Sequence, residues 1–124
     1  MVARILVIDD DDRIRDVFRQ ILENAGYEVE DACDGHEGVR LYKEKNIDLV
    51  ITDILMPGMS GLETILELRF ASPDVKVIAI SGGDHIAPEY YLNVIKNLDT
   101  MCELKKPISS QDLLSAVGAL VSKE

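Results

Sequence analysis

The chain has 124 residues, 47% of them apolar, with 23 acidic against 13 basic side chains and a formal charge of −10. That is one domain's length with enough apolar content for a packed core, and its charge excludes a surface built to neutralise a phosphate backbone; direct nucleic-acid binding is not expected. No apolar stretch approaches the roughly 20 residues of a membrane span. No signal peptide is seen either, since Ile5-Leu6-Val7-Ile8 runs straight into Asp9-Asp10-Asp11-Asp12; a cytoplasmic protein without membrane insertion is expected.

Taken in chain order, Ile5-Leu6-Val7-Ile8 reads as a strand buried on both faces. Ile14, Val17, Phe18, Ile21, Leu22 and Ala25 then recur at helical spacing and predict one apolar helix face, capped by Asp11 or Asp12 and stopped at Gly26. Tyr27 to Ala32 alternates as a strand, and a helix from about Gly35 to Lys45 turns Val39, Leu41 and Tyr42 inward. A third strand, about Asp48 to Thr52, leads to Asp53 and the loop Met56-Pro57-Gly58-Met59-Ser60-Gly61. Beyond it a helix carries Leu62, Ile65, Leu66 and Arg69 and ends before Ser72-Pro73-Asp74.

The fourth strand, Val75 to Ile80, delivers Ser81, and Gly82-Gly83-Asp84 opens a loop into a helix from Pro88 to about Leu98. Met101-Cys102-Glu103-Leu104 predicts a fifth strand ending at Lys105, Lys106 and Pro107, after which Ser109 caps a last helix bearing Leu113, Leu114, Val117, Leu120 and Val121. Five strands alternating with five helices predict an α/β, doubly wound, flavodoxin-like parallel sheet of order 2-1-3-4-5. Residues 1–124 are expected to form a single domain, with no output domain attached. In that order Cys33 and Cys102 lie at opposite edges, roughly 19 Å apart at about 4.8 Å per strand, too far for a disulfide; both are expected to be small buried thiols.

Ligands of an open parallel sheet bind beyond the carboxyl ends of its strands, so Asp9 and Asp10, Asp53, Ser81 and Lys106 should meet in one crevice. Three carboxylates within a few ångströms repel one another unless a cation is present or a proton is retained. Hard oxygen donors with few nitrogen or sulfur ligands nearby suit Mg²⁺. Asp11 and Asp12 are accounted for as helix caps. A carboxylate can attack phosphorus to give an acyl phosphate, with an ammonium and a hydroxyl stabilising the transferred oxygens.

The segments Ile5-Leu6-Val7-Ile8-Asp9-Asp10, Asp48-Leu49-Val50-Ile51-Thr52-Asp53 with Met56-Pro57-Gly58-Met59-Ser60-Gly61, Ala79-Ile80-Ser81 and Lys106-Pro107 occur in order over nearly the whole chain. Together they resemble the response-regulator receiver domain of bacterial two-component signalling. The resemblance implies Asp53 as phospho-acceptor, Ser81 as the hydroxyl that moves onto the phosphoryl group and Lys106 as its ion-pair partner. It implies Mg²⁺ as cofactor, held by Asp10 directly, Asp9 chiefly through water, Asp53, and the main-chain carbonyl of Leu55. It also implies a cis Lys106–Pro107 bond, a histidine kinase or histidine phosphotransfer protein as phosphodonor, and an output partner that the sequence does not identify.

The chain departs from the family where Glu103 takes the place of a Tyr or Phe that swings inward on activation, where Ile108 replaces a common Phe, and where Asp99-Thr100 replaces a Gly-Ala pair. An ionised Glu103 entering an apolar space would meet a large desolvation cost; it is expected to point outward as a partner contact. Three other readings compete. A haloacid-dehalogenase-like phosphatase places its nucleophile after the first strand in an Asp-x-Asp motif, which Asp9-Asp10-Asp11 matches by chance. A flavodoxin-like mononucleotide carrier wants a Ser/Thr/Gly-rich phosphate loop where this chain has four aspartates. A receiver-like scaffold that is never phosphorylated has no need of the intact site.

Overall fold

The computed structural model describes residues 2–54, 56, 58–82 and 100–122. Their elements are β1 (Arg4–Ile8), α1 (Asp12–Asn24), β2 (Glu28–Ala32), α2 (Gly35–Glu44), β3 (Leu49–Asp53), α3 (Gly61–Ala71), β4 (Val77–Ser81), β5 (Met101–Lys105) and α4 (Ser110–Val121). The strands form one parallel sheet in the order β2-β1-β3-β4-β5, the order expected. The helix expected from Pro88 to Leu98 lies outside the described residues.

Strand alternation divides the core between the two faces of the sheet. Leu6, Ile8, Val50, Val77, Ala79 and Met101 meet Val39 of α2 and Ile65 and Leu68 of α3. On the other face Ile5, Val7, Leu49, Ile51, Ile78 and Ile80 meet Phe18 and Leu22 of α1 and Leu113, Val117 and Leu120 of α4. Covering both faces explains why the central strands read as unbroken apolar runs rather than alternating ones. β5, an edge strand, is more polar for the same reason.

Each described helix starts on a side chain that accepts an otherwise orphaned backbone N–H: Asp11 from Arg13, Asp34 from Glu37, Ser60 from Glu63, and Ser109 from Asp112. Gly26 ends α1 with φ +96°, the left-handed stop read from the sequence. Strand boundaries differ by a residue or two. Tyr27 and Asp48 precede β2 and β3, Val75 precedes β4, and Asp53 and Ser81 close their own strands.

Three side-chain expectations are corrected. Val17 is 53% exposed and Leu66 46% exposed, because the inward arc of α1 centres on Phe18 and Leu22 and that of α3 on Ile65 and Leu68. Cys33 is exposed rather than buried, since it stands one residue beyond the end of edge strand β2. Both cysteines are free thiols, as expected.

The displaced arc of α1 gives a direct check. Leu22→Ala is expected to lower the urea-unfolding free energy by about 2–5 kcal/mol, while Val17→Ala changes it by no more than about 0.5 kcal/mol. Equal losses at the two positions would mean that α1 packs on the face read from periodicity alone.

Candidate functional site

The site assembles because four strands end level with one another and backbone hydrogen bonds extend the ladder one residue past them. The Asp9 N–H donates to the Ala32 carbonyl at 3.1 Å, fixing the exit of β1 against β2. Past β3, the Ile54 N–H donates to the Ile80 carbonyl at 2.9 Å; past β5, the Lys106 N–H donates to the Ser81 carbonyl at 2.8 Å. Ser81 and Lys106 are thus neighbours through the main chain before any side chain is considered. The Lys106–Pro107 bond is cis, as expected.

At this rim, carboxylate oxygens of Asp9, Asp10 and Asp53 lie within 4.8 Å of one another. Asp9 and Asp53 are buried and Asp10 is exposed. Lys106 Nζ stands 3.1 Å from Asp53 Oδ2, a part-buried ion pair. Ser81 is buried at the end of the adjacent strand, whose Ile80 is in register with Asp53. Five of the six residues expected at the site are thus gathered at one rim; Leu55, the expected carbonyl ligand, lies outside the described residues. Lys105 is exposed, and the ion pair with Asp53 is made by Lys106.

The electrostatics of the trio are uneven. Asp9 Oδ1 accepts the Asp11 N–H at 2.9 Å, but Oδ2 is buried without a hydrogen-bond partner among the described residues. Burial, above all, raises the Asp9 pKa to about 6; the Asp11 N–H opposes the shift and the Asp53 charge reinforces it. An orphaned buried oxygen inside a cluster of hard oxygen donors is what a small divalent cation such as Mg²⁺ would satisfy. The donor set fits that group.

Two residues support the site in ways that the sequence pattern does not show. Gly61 opens α3 with its N–H on the Ile54 carbonyl at 2.8 Å. A Cβ there would lie 2.2 Å from the Asp53 carbonyl oxygen and 2.5 Å from Ile54 Cα, so only glycine lets α3 begin directly against the Asp53 strand end. Arg15, whose side chain is 14% exposed, donates to the Asp9 carbonyl at 2.6 Å and is ion-paired with Asp12. Its spacing to Phe18 and Leu22, three and seven residues on, marks it as lying on the inward arc of α1.

The expectation for Glu103 is corrected here. The side chain is partly buried, not outward, and its Oε2 is buried without a hydrogen-bond partner among the described residues. Alternation along β5 explains this: Cys102 and Leu104 pack on the α1 and α4 face, so Glu103 shares the opposite face with Met101, beside Ala79 in register.

With this geometry in place, comparison with known proteins is decisive. The family model of the response regulator receiver domain matches residues 5–118. The chain belongs to the response regulator receiver family. It is 33% identical over 125 residues to the response regulator MprA of Mycolicibacterium vanbaalenii, covering 99% of this chain and 52% of that protein; the chain thus spans about half the length of the curated relatives it matches. Among solved structures, it resembles a response regulator receiver domain protein (CheY-like) from Methanospirillum hungatei, with TM-score 0.89 and 30% identity over 99% of this chain and 96% of that one. A receiver domain protein from Clostridium thermocellum gives TM-score 0.85 and 34% identity, covering 98% of this chain and 97% of that one. Receiver domains of this family are signalling modules that bind Mg²⁺ in an acidic pocket. No described helix of this receiver is long and apolar enough to cross a membrane.

Two outcomes follow from the site's geometry. Gly61→Ala should lower stability by about 1–3 kcal/mol because the clash is with backbone. Gly118→Ala, where a Cβ meets nothing within 4 Å inside α4, should raise it by about 0.5–1 kcal/mol. Chemical denaturation of both variants decides this, and a stabilised Gly61→Ala would contradict the close approach.

The second outcome concerns Asp9. Its pKa is higher in the folded protein than in the unfolded chain, so it favours folding when protonated and loses that contribution as pH rises from about 4 to about 6. In metal-free buffer at pH 7.5, Asp9→Asn should therefore be more stable than wild type by about 2–3 kcal/mol, and the difference should vanish near pH 4. A variant less stable than wild type at pH 7.5 would show that the Asp9 carboxylate is not strained by burial.

Proposed function

We propose that this receiver is a phospho-acceptor: Asp53 takes the phosphoryl group from a phosphohistidine of a histidine kinase or histidine phosphotransfer protein, and the modified domain changes its affinity for an output partner. The observation that carries this reading is the ammonium of Lys106 at 3.1 Å from Asp53, beside the acidic cluster of Asp9, Asp10 and Asp53. In the transfer, a carboxylate oxygen of Asp53 forms a bond to phosphorus as the bond to the donor imidazole nitrogen breaks, and the imidazole leaves with a proton from water. Lys106 holds the nucleophile in place before transfer and neutralises phosphoryl oxygens afterwards. The Ser81 hydroxyl is available as a donor to the same oxygens.

Asp10, Asp9, Asp53 and the Leu55 carbonyl are the residues that would hold Mg²⁺, with Asp10 a direct ligand and Asp9 acting chiefly through water. Bound there, Mg²⁺ supplies counter-charge to the phosphoryl oxygens. The same residues would support self-phosphorylation from small phosphodonors and slow loss of phosphate, without making the protein a turnover enzyme. Against a dehalogenase-like phosphatase stands the placement of the lysine. It pairs with Asp53 at the end of β3, not with an aspartate after β1.

Incubation with acetyl phosphate and Mg²⁺ is expected to add one acid-stable, base-labile phosphoryl group to wild type and none to Asp53→Asn, as read by intact mass. Equal labelling of the two proteins would remove Asp53 from the mechanism. Steady turnover of a phosphate monoester by wild type would favour the phosphatase reading.

A further inference from the structure

We infer that Arg15 is a positioning residue for the cation site: a guanidinium that never touches the metal but holds the Asp9–Asp12 turn in its binding shape. The inference rests on the phospho-acceptor reading above and extends it to a residue outside the acidic cluster. Arg15 lies one turn into α1, yet its side chain is only 14% exposed because it runs back along the helix towards the exit of β1. There Nη1 donates to the Asp9 carbonyl at 2.6 Å, Nη2 is ion-paired with Asp12 and also hydrogen-bonds it, and Nε lies 3.7 Å from Asp31 on β2. A planar fork that spans a carbonyl and two carboxylates is a role that lysine cannot reproduce.

The turn needs such a fastening. Asp9 and Asp10 follow the last residue of β1, and Asp12 already belongs to α1, so these few residues must carry the chain from strand to helix. Three like charges crowd the same rim, and their repulsion pushes Asp9 and Asp10 away from Asp53. The Asp11 N–H to Asp9 Oδ1 contact ties one side of the turn; Arg15 ties the other by its carbonyl. Arg19 braces the far end of the anchor: it donates to the Val29 carbonyl at 3.1 Å and approaches Asp31 at 3.5 Å. Partners that orient metal ligands from outside the coordination sphere typically govern affinity by about 10–100-fold.

The test is calorimetric titration of metal-free protein with MgCl₂ for wild type, Arg15→Lys and Arg15→Gln, alongside acetyl phosphate labelling over a range of Mg²⁺ concentrations. The expected result is a dissociation constant raised about tenfold or more in Arg15→Gln, with Arg15→Lys between it and wild type. The labelling rate at saturating Mg²⁺ should stay close to that of wild type, with the whole curve displaced to higher Mg²⁺. A residue that only supports the fold would lower the unfolding midpoint and the plateau without displacing the curve. Asp12→Ala, which removes one anchor and leaves Arg15 in place, should weaken Mg²⁺ binding in the same direction and serves if Arg15→Gln does not fold. Wild type that binds Mg²⁺ alongside an Arg15→Gln that binds it within twofold of wild type overturns the role of Arg15 alone. Wild type that neither binds Mg²⁺ nor accepts phosphate overturns the receiver reading, and this inference with it.

Discussion

The crowding of carboxylates at the rim of a parallel sheet is the constraint on which the rest of this molecule depends. Two aspartates leave β1 and a third closes β3, and neighbouring parallel strands cannot keep them apart. In water such repulsion is weak, but Asp9 and Asp53 are buried, where the same charges interact more strongly and lose their hydration. Among the described residues, the fold answers with the ammonium of Lys106, just past edge strand β5, and gives Asp9 Oδ2 no hydrogen-bond partner. A site held in that condition is biased towards whatever brings positive charge.

Secondary structure and packing serve this arrangement. Apolar strands sheathed on both faces make a rigid floor, and hydrogen bonds one residue beyond the strand ends carry that rigidity to the functional residues. The Lys106 N–H to Ser81 carbonyl bond ties the serine end of β4 to the lysine end of β5. Glu103, two residues before Lys105 on β5, faces the same side of the sheet as Met101, with a buried oxygen that has no hydrogen-bond partner among the described residues. The position that holds an aromatic ring in much of the family therefore holds a partly buried Glu here.

Legibility in the sequence follows the same physics. Strand order and the gathering of most candidate site residues at one rim are legible because a polar residue directly after a β-branched run marks a parallel strand end, as at Ile8-Asp9 and Thr52-Asp53. Outward residues on buried helices were not: Val17 and Leu66 fit the periodicity but lie off the arc that faces the sheet. Cys33 looked like a core thiol until the edge position of β2 exposed it. Composition alone assigns a charged helical residue such as Arg15 to solvent, although its spacing to Phe18 and Leu22 places it inward. In the sequence Gly61 is only part of a loop motif; that a single Cβ there would strike the Asp53 carbonyl is a three-dimensional fact.

The central proposal is that the acidic rim of Asp9, Asp10 and Asp53 is a preformed cation site whose repulsion is relieved on binding. Thermal unfolding at pH 7.5 in rising MgCl₂, against NaCl of matched ionic strength, tests it most directly. The account predicts a saturable rise in melting temperature specific to Mg²⁺, following the linkage between ligand binding and stability, and largely abolished in the Asp10→Asn, Asp53→Asn double variant. Identical curves in the two salts, or an undiminished Mg²⁺ effect in the double variant, would contradict it.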